Sequence, residues 1–167
     1  MSLPTIEINT KESSIIPMTD ELARIISIWK YDGIYSFYDH SAENHNSFMD
    51  GTHFACIGES GNLIGYYCFG EDARIPTVET NVYDDIFLDI GLGLRPDLCG
   101  QKLGYSFLCD GLHYAKNLHN TSQFRLSVAI FNERAIKVYK RAGFFVDNEV
   151  TNAYFKYKFF IMKLKAE

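Results

Sequence analysis

At 167 residues, 47% of them hydrophobic and 22% charged, the chain predicts one domain over 1–167, large enough for a sizeable core. A net charge of −5 argues against nucleic acid as a partner, and no apolar stretch reaches the length of a membrane span. Cys56, Cys68, Cys99 and Cys109 form no C-x-x-C pair and the N-terminus lacks a secretory pattern, so a reduced, cytoplasmic protein without structural zinc is expected.

Residues 1–10 are polar and read as a loose arm. Ser13 to Ile16 is short and β-like, stopped by Pro17. Thr19 then caps a predicted helix with acids in its first turn, and Leu22, Ile25, Ile26 and Trp29 form its apolar face. Tyr31 to His40 is dense in aromatics and compatible with helix or loop. The 13 Phe and 11 Tyr of the chain suit either a heavy core or aromatic-lined cavities. Thr52–Ile57 and Leu63–Phe69 read as strands joined by Glu59-Ser-Gly-Asn62, which has hairpin chemistry. Glu71 to Tyr83 is a polar connection. Phe124 to Ile130 sets Phe124, Leu126, Val128 and Ile130 against Arg125, Ser127 and Ala129, the alternation of a strand. Phe144–Val146 and Phe155–Leu164 read as closing strands.

The most informative stretch is Ile86 to Gly104. An apolar run broken by Gly91 and Gly93 predicts a buried strand. A turn at Arg95-Pro96-Asp97 and a short glycine-containing loop follow, then a helix with Leu103, Phe107, Leu108, Gly111, Leu112, Ala115 and Leu118 on one face. Strand, loop and helix in this order aim backbone N–H groups and a positive helix end at an anion, with phosphate the natural candidate. A nucleoside-triphosphate loop is excluded by the lack of G-x-x-x-x-G-K-S/T. A dinucleotide loop is excluded because Gly91-Leu-Gly93 runs into Arg-Pro.

The stretch resembles the acetyl-CoA signature of the GNAT N-acetyltransferases, Arg/Gln-x-x-Gly-x-Gly/Ala opening a helix after a short turn. Cys99 stands at the Arg/Gln position, Lys102 at the first signature glycine and Gly104 at the second, so two of the diagnostic positions depart. Downstream, Asn132-Glu-Arg-Ala-Ile-Lys-Val-Tyr-Lys-Arg-Ala-Gly-Phe144 is similar to the family's N-x-x-A-x-x-x-Y-x-x-x-G-F helix at every anchor: Asn132, Ala135, Tyr139, Gly143 and Phe144. The likeness spans residues 52–164 well and the first fifty loosely. It implies an α/β (α+β) GNAT fold, a mixed, mostly antiparallel twisted sheet of six or seven strands with a central splay, flanked by about four helices.

The resemblance also implies a chemistry. Acetyl-CoA would be the cosubstrate and no metal would take part. Backbone groups of Leu92, Gly93 and Leu94 would bind the pantetheine arm, and an N–H of this segment would polarise the acetyl carbonyl. Amides of Cys99, Gly100, Gln101, Lys102, Leu103 and Gly104 would take the pyrophosphate, with the Lys102 ammonium offsetting its missing glycine. Asn132 would bond the pantetheine arm, cap its helix, or both. Tyr139 would hand a proton to the departing CoA sulfur, the alternative being a packed core tyrosine. Some family members use a Glu on the central strand as general base. Asp89 is the candidate here, with Glu71, Asp72 and Asp85 as looser alternatives.

The acceptor would be an amine of a small molecule or peptide. Trp29, Tyr35, Phe37 and Tyr38 could wall its site, and Asp39, Glu43, Glu71, Asp72 and Asp85 fit a cation or equally a solvated face. His113 lies on the polar side of its helix, while His40, His45 and His53 are unclustered and imply no metal. A homodimer is left open. The rival to an acetyltransferase is a non-catalytic acyl-CoA-binding module with the same fold, favoured by the departures at Cys99 and Lys102.

Overall fold

The computed structural model describes residues 13–40, 42–155 and 157–165, with the side chains of 42–45 left aside. The expected arm over 1–10 lies outside the described residues, as do the side chains of Glu43 and His45. Seven strands form one sheet in the order β1-β2-β3-β4-β5-β7-β6. They are β1 (Ser14–Pro17), β2 (His53–Ile57), β3 (Leu63–Phe69), β4 (Leu88–Leu94), β5 (Gln123–Ala129), β6 (Phe145–Thr151) and β7 (Lys158–Lys165). The ladders are antiparallel except β4 with β5, which run parallel. Three α-helices, α1 (Asp20–Ser27), α2 (Gly104–His119) and α3 (Glu133–Arg141), accompany 3-10 segments at Gly33–Tyr38, Ala42–Met49, Glu71–Ala73 and Pro96–Leu98. This is a mixed, mostly antiparallel sheet of seven strands, as the resemblance implies.

Helices α2 and α3 cover one face of the sheet. Phe107, Leu108 and Ala115 of α2 and Ile136 of α3 pack on Ile64, Tyr67, Leu126 and Met162. Gly111 permits this closeness, since a Cβ there would stand 2.4 Å from the Tyr67 ring, whose hydroxyl donates to the Phe107 carbonyl at 2.7 Å. The other face carries α1 and the 3-10 segments Gly33–Tyr38 and Ala42–Met49 in two patches. One gathers Ala23, Ile26, Trp29 and Phe48 on Ala55 and Leu63. The other gathers Phe37, Tyr38 and Phe131 on Ala129, Val150 and Phe159.

The Thr19 hydroxyl caps α1 by accepting from Leu22 N–H at 3.2 Å, as its sequence predicts. Leu22, Ile26 and Trp29 of the expected apolar face pack inward together with Ala23, while Ile25 is exposed. The aromatic stretch after Tyr31 resolves as a 3-10 helix. Strand β6 extends well beyond the expected Phe144–Val146. It is an edge strand, exposed along most of its length, so Asp147-Asn148-Glu149 lacks the apolar alternation by which a strand is recognised.

Candidate functional site

The β4–β5 ladder holds only the pairs Leu88↔Phe124 and Asp89↔Arg125, after which the two strands part. On its other side β4 stays paired with β3 through Gly65↔Leu94, without a register shift, so the bulge that Gly91 and Gly93 would permit does not occur. Bonds from Gly70 N–H to Asp89 O and from Arg95 N–H to Ile64 O, both 2.8 Å, set the alternation of that ladder. The N–H and C=O of Gly91 and Gly93 therefore turn to β3, while those of Leu92 and Leu94 turn to the opened β5 side. Gly93 contributes the lack of a side chain instead: a Cβ there would stand 2.2 Å from the Tyr66 ring. The Leu94 carbonyl already accepts from the Tyr31 hydroxyl at 2.9 Å.

The loop that follows holds two residues in the left-handed region. Gly100 has φ +76° and Lys102 φ +62°, so a lysine holds a backbone conformation suited to glycine. Helix α2 then begins at Gly104 with Leu103 as its N-cap, a residue that offers no side-chain acceptor to the first-turn N–H groups. Not every polar group nearby is available. The Arg95 guanidinium is held by the Asp97 carboxylate at 2.6 and 3.1 Å, and Gln101 Nε2 folds back onto the Asp97 carbonyl at 2.6 Å. Burial pushes the Cys99 thiol up, and Sγ donates to the Leu94 and Arg95 carbonyls at 3.8 and 3.7 Å. Among the described residues the Lys102 ammonium has no partner.

At the far end of the opening, Asn132 Oδ1 caps α3 by accepting from Ala135 N–H at 3.2 Å, and Nδ2 donates to the Tyr38 hydroxyl at 3.3 Å. One N–H of that amide is left over. Tyr139 lies close to Tyr38, and burial first, then that neighbour, pushes its phenol up. Among the described residues its hydroxyl makes no hydrogen bond, and its ring packs against Phe144 with centroids 6.0 Å apart. Asn132, Tyr38 and Tyr139 thus converge.

Asp89 does not belong to this opening as a base. It is 2% exposed, and both oxygens are engaged: Oδ1 and Oδ2 accept from Arg125 at 2.7 Å, and Oδ2 accepts from Arg74 at 2.8 Å. Arg125 is itself 0% exposed and also reaches the Asp84 side chain and carbonyl, while Tyr83 lies beneath both guanidiniums at 5.0 and 5.3 Å. A carboxylate with three of its four lone pairs taken by two guanidiniums in a dry site is neutralised and closed to a substrate, so the expectation for Asp89 is corrected. The looser acids are dispersed as well. Asp72 bonds Thr52 at 3.1 Å beside Asp50, and Asp85 is fully outside, 3.5 Å from Arg74. Asp39 accepts from Tyr31 N–H at 2.8 Å. Trp29 is a core residue and not a wall of the site.

Sequence reasoning missed two pairings. His40 and His53, taken as unclustered, converge on Tyr66, with His40 Nε2 3.0 Å from the Tyr66 hydroxyl. Burial first, then His53, holds the His40 pKa below its ordinary value, while Asp39 opposes this; the ring is neutral at pH 7. Arg134, an unmarked position inside the Asn132 motif, lies over the loop, with Nη1 3.2 Å from where a Cβ on Gly100 would stand. It shares with Pro96, Cys99 and residues 31–35 a cavity of about 300 Å³.

Among the described residues no group of three or more His, Cys, Asp or Glu could hold a metal ion, and no helix is long and apolar enough to cross a membrane. The sequence model of the acetyltransferase (GNAT) family matches residues 19–144. Among solved structures, a GNAT-family acetyltransferase from Bacillus anthracis superposes with a TM-score of 0.72 at 12% identity, over 95% of this chain and 97% of that one. A chimera of the spermidine N-acetyltransferase SpeG from Vibrio cholerae with hSSAT gives 0.69 at 16% identity, over 92% and 95%. Identities this low make the likeness one of fold. No curated protein matches the sequence.

Proposed function

The chain belongs to the acetyltransferase (GNAT) family, and from that premise we propose that it is an acetyl-CoA-dependent N-acetyltransferase acting on a primary amine of a small molecule or peptide by direct attack in a ternary complex. The observation that carries this reading is β4 itself. Its Leu92 and Leu94 backbone groups face the side vacated by β5, and the strand leads through two left-handed residues into the uncapped start of α2. An extended amide-bearing arm ending in a pyrophosphate fits those groups in that order.

Acetyl-CoA supplies the activated thioester. Leu92, with the N–H of Leu94, would pair with the pantetheine arm as an added strand, and an N–H of this segment would polarise the acetyl carbonyl. The amides from Cys99 to Gly104 would hold the pyrophosphate. Asn132 would spend its remaining N–H on the arm, and Tyr139 would protonate the leaving sulfur. An alkyl ammonium must lose its proton before attack, which costs about 4 kcal/mol at pH 7. With Asp89 engaged, that proton would go to His40, a neutral imidazole bonded to the tyrosine that covers Gly93. The polyamine named for SpeG is not carried over, because Asp39, Asp72 and Asp85, three of the acids expected at the cleft, are bound elsewhere.

Acetyl-CoA at 100 times its dissociation constant should stabilise the fold by about 2.7 kcal/mol with no divalent metal present. Thermal melts with CoA and acetyl-CoA in the presence of a chelator measure this, and an unchanged melt would overturn the assignment. Lys102→Gly should leave the ligand-free melt nearly unchanged. The relief of a left-handed lysine, about 1 kcal/mol, is offset by glycine's greater freedom when unfolded. Loss of the ammonium should weaken CoA about 2–10-fold by calorimetry. Tighter binding in that variant would identify the lysine as an obstruction.

A further inference from the structure

The loop at Cys99 lacks the long polar side chain of the family signature, yet a guanidinium hangs over it from another element. Arg134 stands in the first turn of α3, its guanidinium carbon 4.1 Å from the centre of the Tyr35 ring and Nη1 above Gly100. Among the described residues it makes no ion pair and no hydrogen bond, in contrast with Arg95, whose donors go to Asp97 and the Leu63 carbonyl. Among the described residues all five N–H donors of Arg134 are therefore free. Stacking on Tyr35 orders a side chain that would otherwise sweep through solvent, and both residues line the same cavity as Cys99.

We propose that Arg134, aimed by Tyr35, is a pyrophosphate-binding residue that substitutes from α3 for the side chain missing at Cys99. The role rests on the acetyl-CoA reading above. Its physical logic is that a planar fork with two parallel donors matches two non-bridging phosphate oxygens, while the loop amides take the others. Lys102, on the same loop, offers a point charge without that geometry. Because Tyr35 belongs to the 3-10 segment that covers the opposite face of the sheet, this contact also ties that cover to the cosubstrate loop.

The test is calorimetric binding of CoA and of dephospho-CoA, which keeps the pyrophosphate and lacks the 3′-phosphate. Arg134→Gln should weaken both ligands by about tenfold or more, equally, and leave the ligand-free melt unchanged because the side chain is exposed. Arg134→Lys should fall between wild type and Arg134→Gln, and Tyr35→Leu should weaken both ligands by a smaller, equal factor. Inorganic pyrophosphate should compete with CoA in wild type and less well in Arg134→Gln. CoA affinity within twofold of wild type in Arg134→Gln would overturn the proposal. So would a loss confined to CoA and missing with dephospho-CoA, which would assign the guanidinium to the 3′-phosphate. If wild type binds neither ligand, the acetyl-CoA reading falls and takes this role with it; binding that ignores Arg134 overturns this role alone.

Discussion

Tyr139→Phe should lower kcat on the true acceptor by about 10²–10⁴-fold, the range that general acid catalysis supplies. The substitution removes one oxygen, and among the described residues that oxygen makes no hydrogen bond, so no structural contact is lost with it. The ring keeps its packing on Phe144. Acetyl-CoA affinity and the melting temperature should change little. Burial pushes the phenol up, which makes it a reluctant acid toward solvent and keeps it protonated through the working range. It can still serve a nascent thiolate, because the same water-poor surroundings destabilise that anion. The fall should shrink with a thioester whose leaving thiol is more acidic, and it should be masked where product release limits turnover. Pre-steady-state measurement of thiol release separates these cases. Wild-type turnover in a variant whose chemistry limits the rate would return Tyr139 to a packing role.

Asp89→Asn should destabilise the protein by about 3–5 kcal/mol, the cost of leaving buried guanidiniums without their carboxylate. For a chain of this length that is about 6–20 °C in Tm. Arg125→Met should cost less. It leaves Asp89 with Arg74, and the Asp84 carboxylate it releases is half-exposed and can be hydrated. Scanning calorimetry of both variants gives the order, and the reverse order would contradict the network as described. Turnover per folded molecule separates support from catalysis. A folded Asp89→Asn protein of wild-type Tm without turnover would restore the carboxylate to the chemistry.

The central strand, its glycine loop and α2 were legible because each rests on a local signal: an apolar run, a turn dipeptide, a 3.6-residue period. Asn132 and Tyr139 were singled out by the resemblance, standing at the offsets of the family's motif along one helix. Asp89 was misjudged because what surrounds it comes from afar. Arg125 sits at a polar position of an alternating strand, which predicts a solvated side chain. Strand β5 is covered on both faces, so that position is buried. The approach of His40 to Tyr66 and of Arg134 to Gly100 joins segments whose sequences carry no mark of each other. Arg134 had one indirect signal, the vacancy that Cys99 leaves in the signature.

The short parallel ladder between β4 and β5 has a consequence for how the sheet assembles. Strands β1 to β4 pair through antiparallel neighbours, and β5 to β7 form a second such set. Joining the sets means closing a loop between residues 36 positions apart, at an entropic cost of about 3 kcal/mol, against two ladder pairs and one buried ion-pair network. The seam is thus the place where chain entropy is highest relative to the bonds that oppose it. Phe107, Leu108 and Ile136 bridge both sets on one face, so the groove is sustained by incomplete zippering of the sheet over a continuous hydrophobic layer rather than carved out of a finished core.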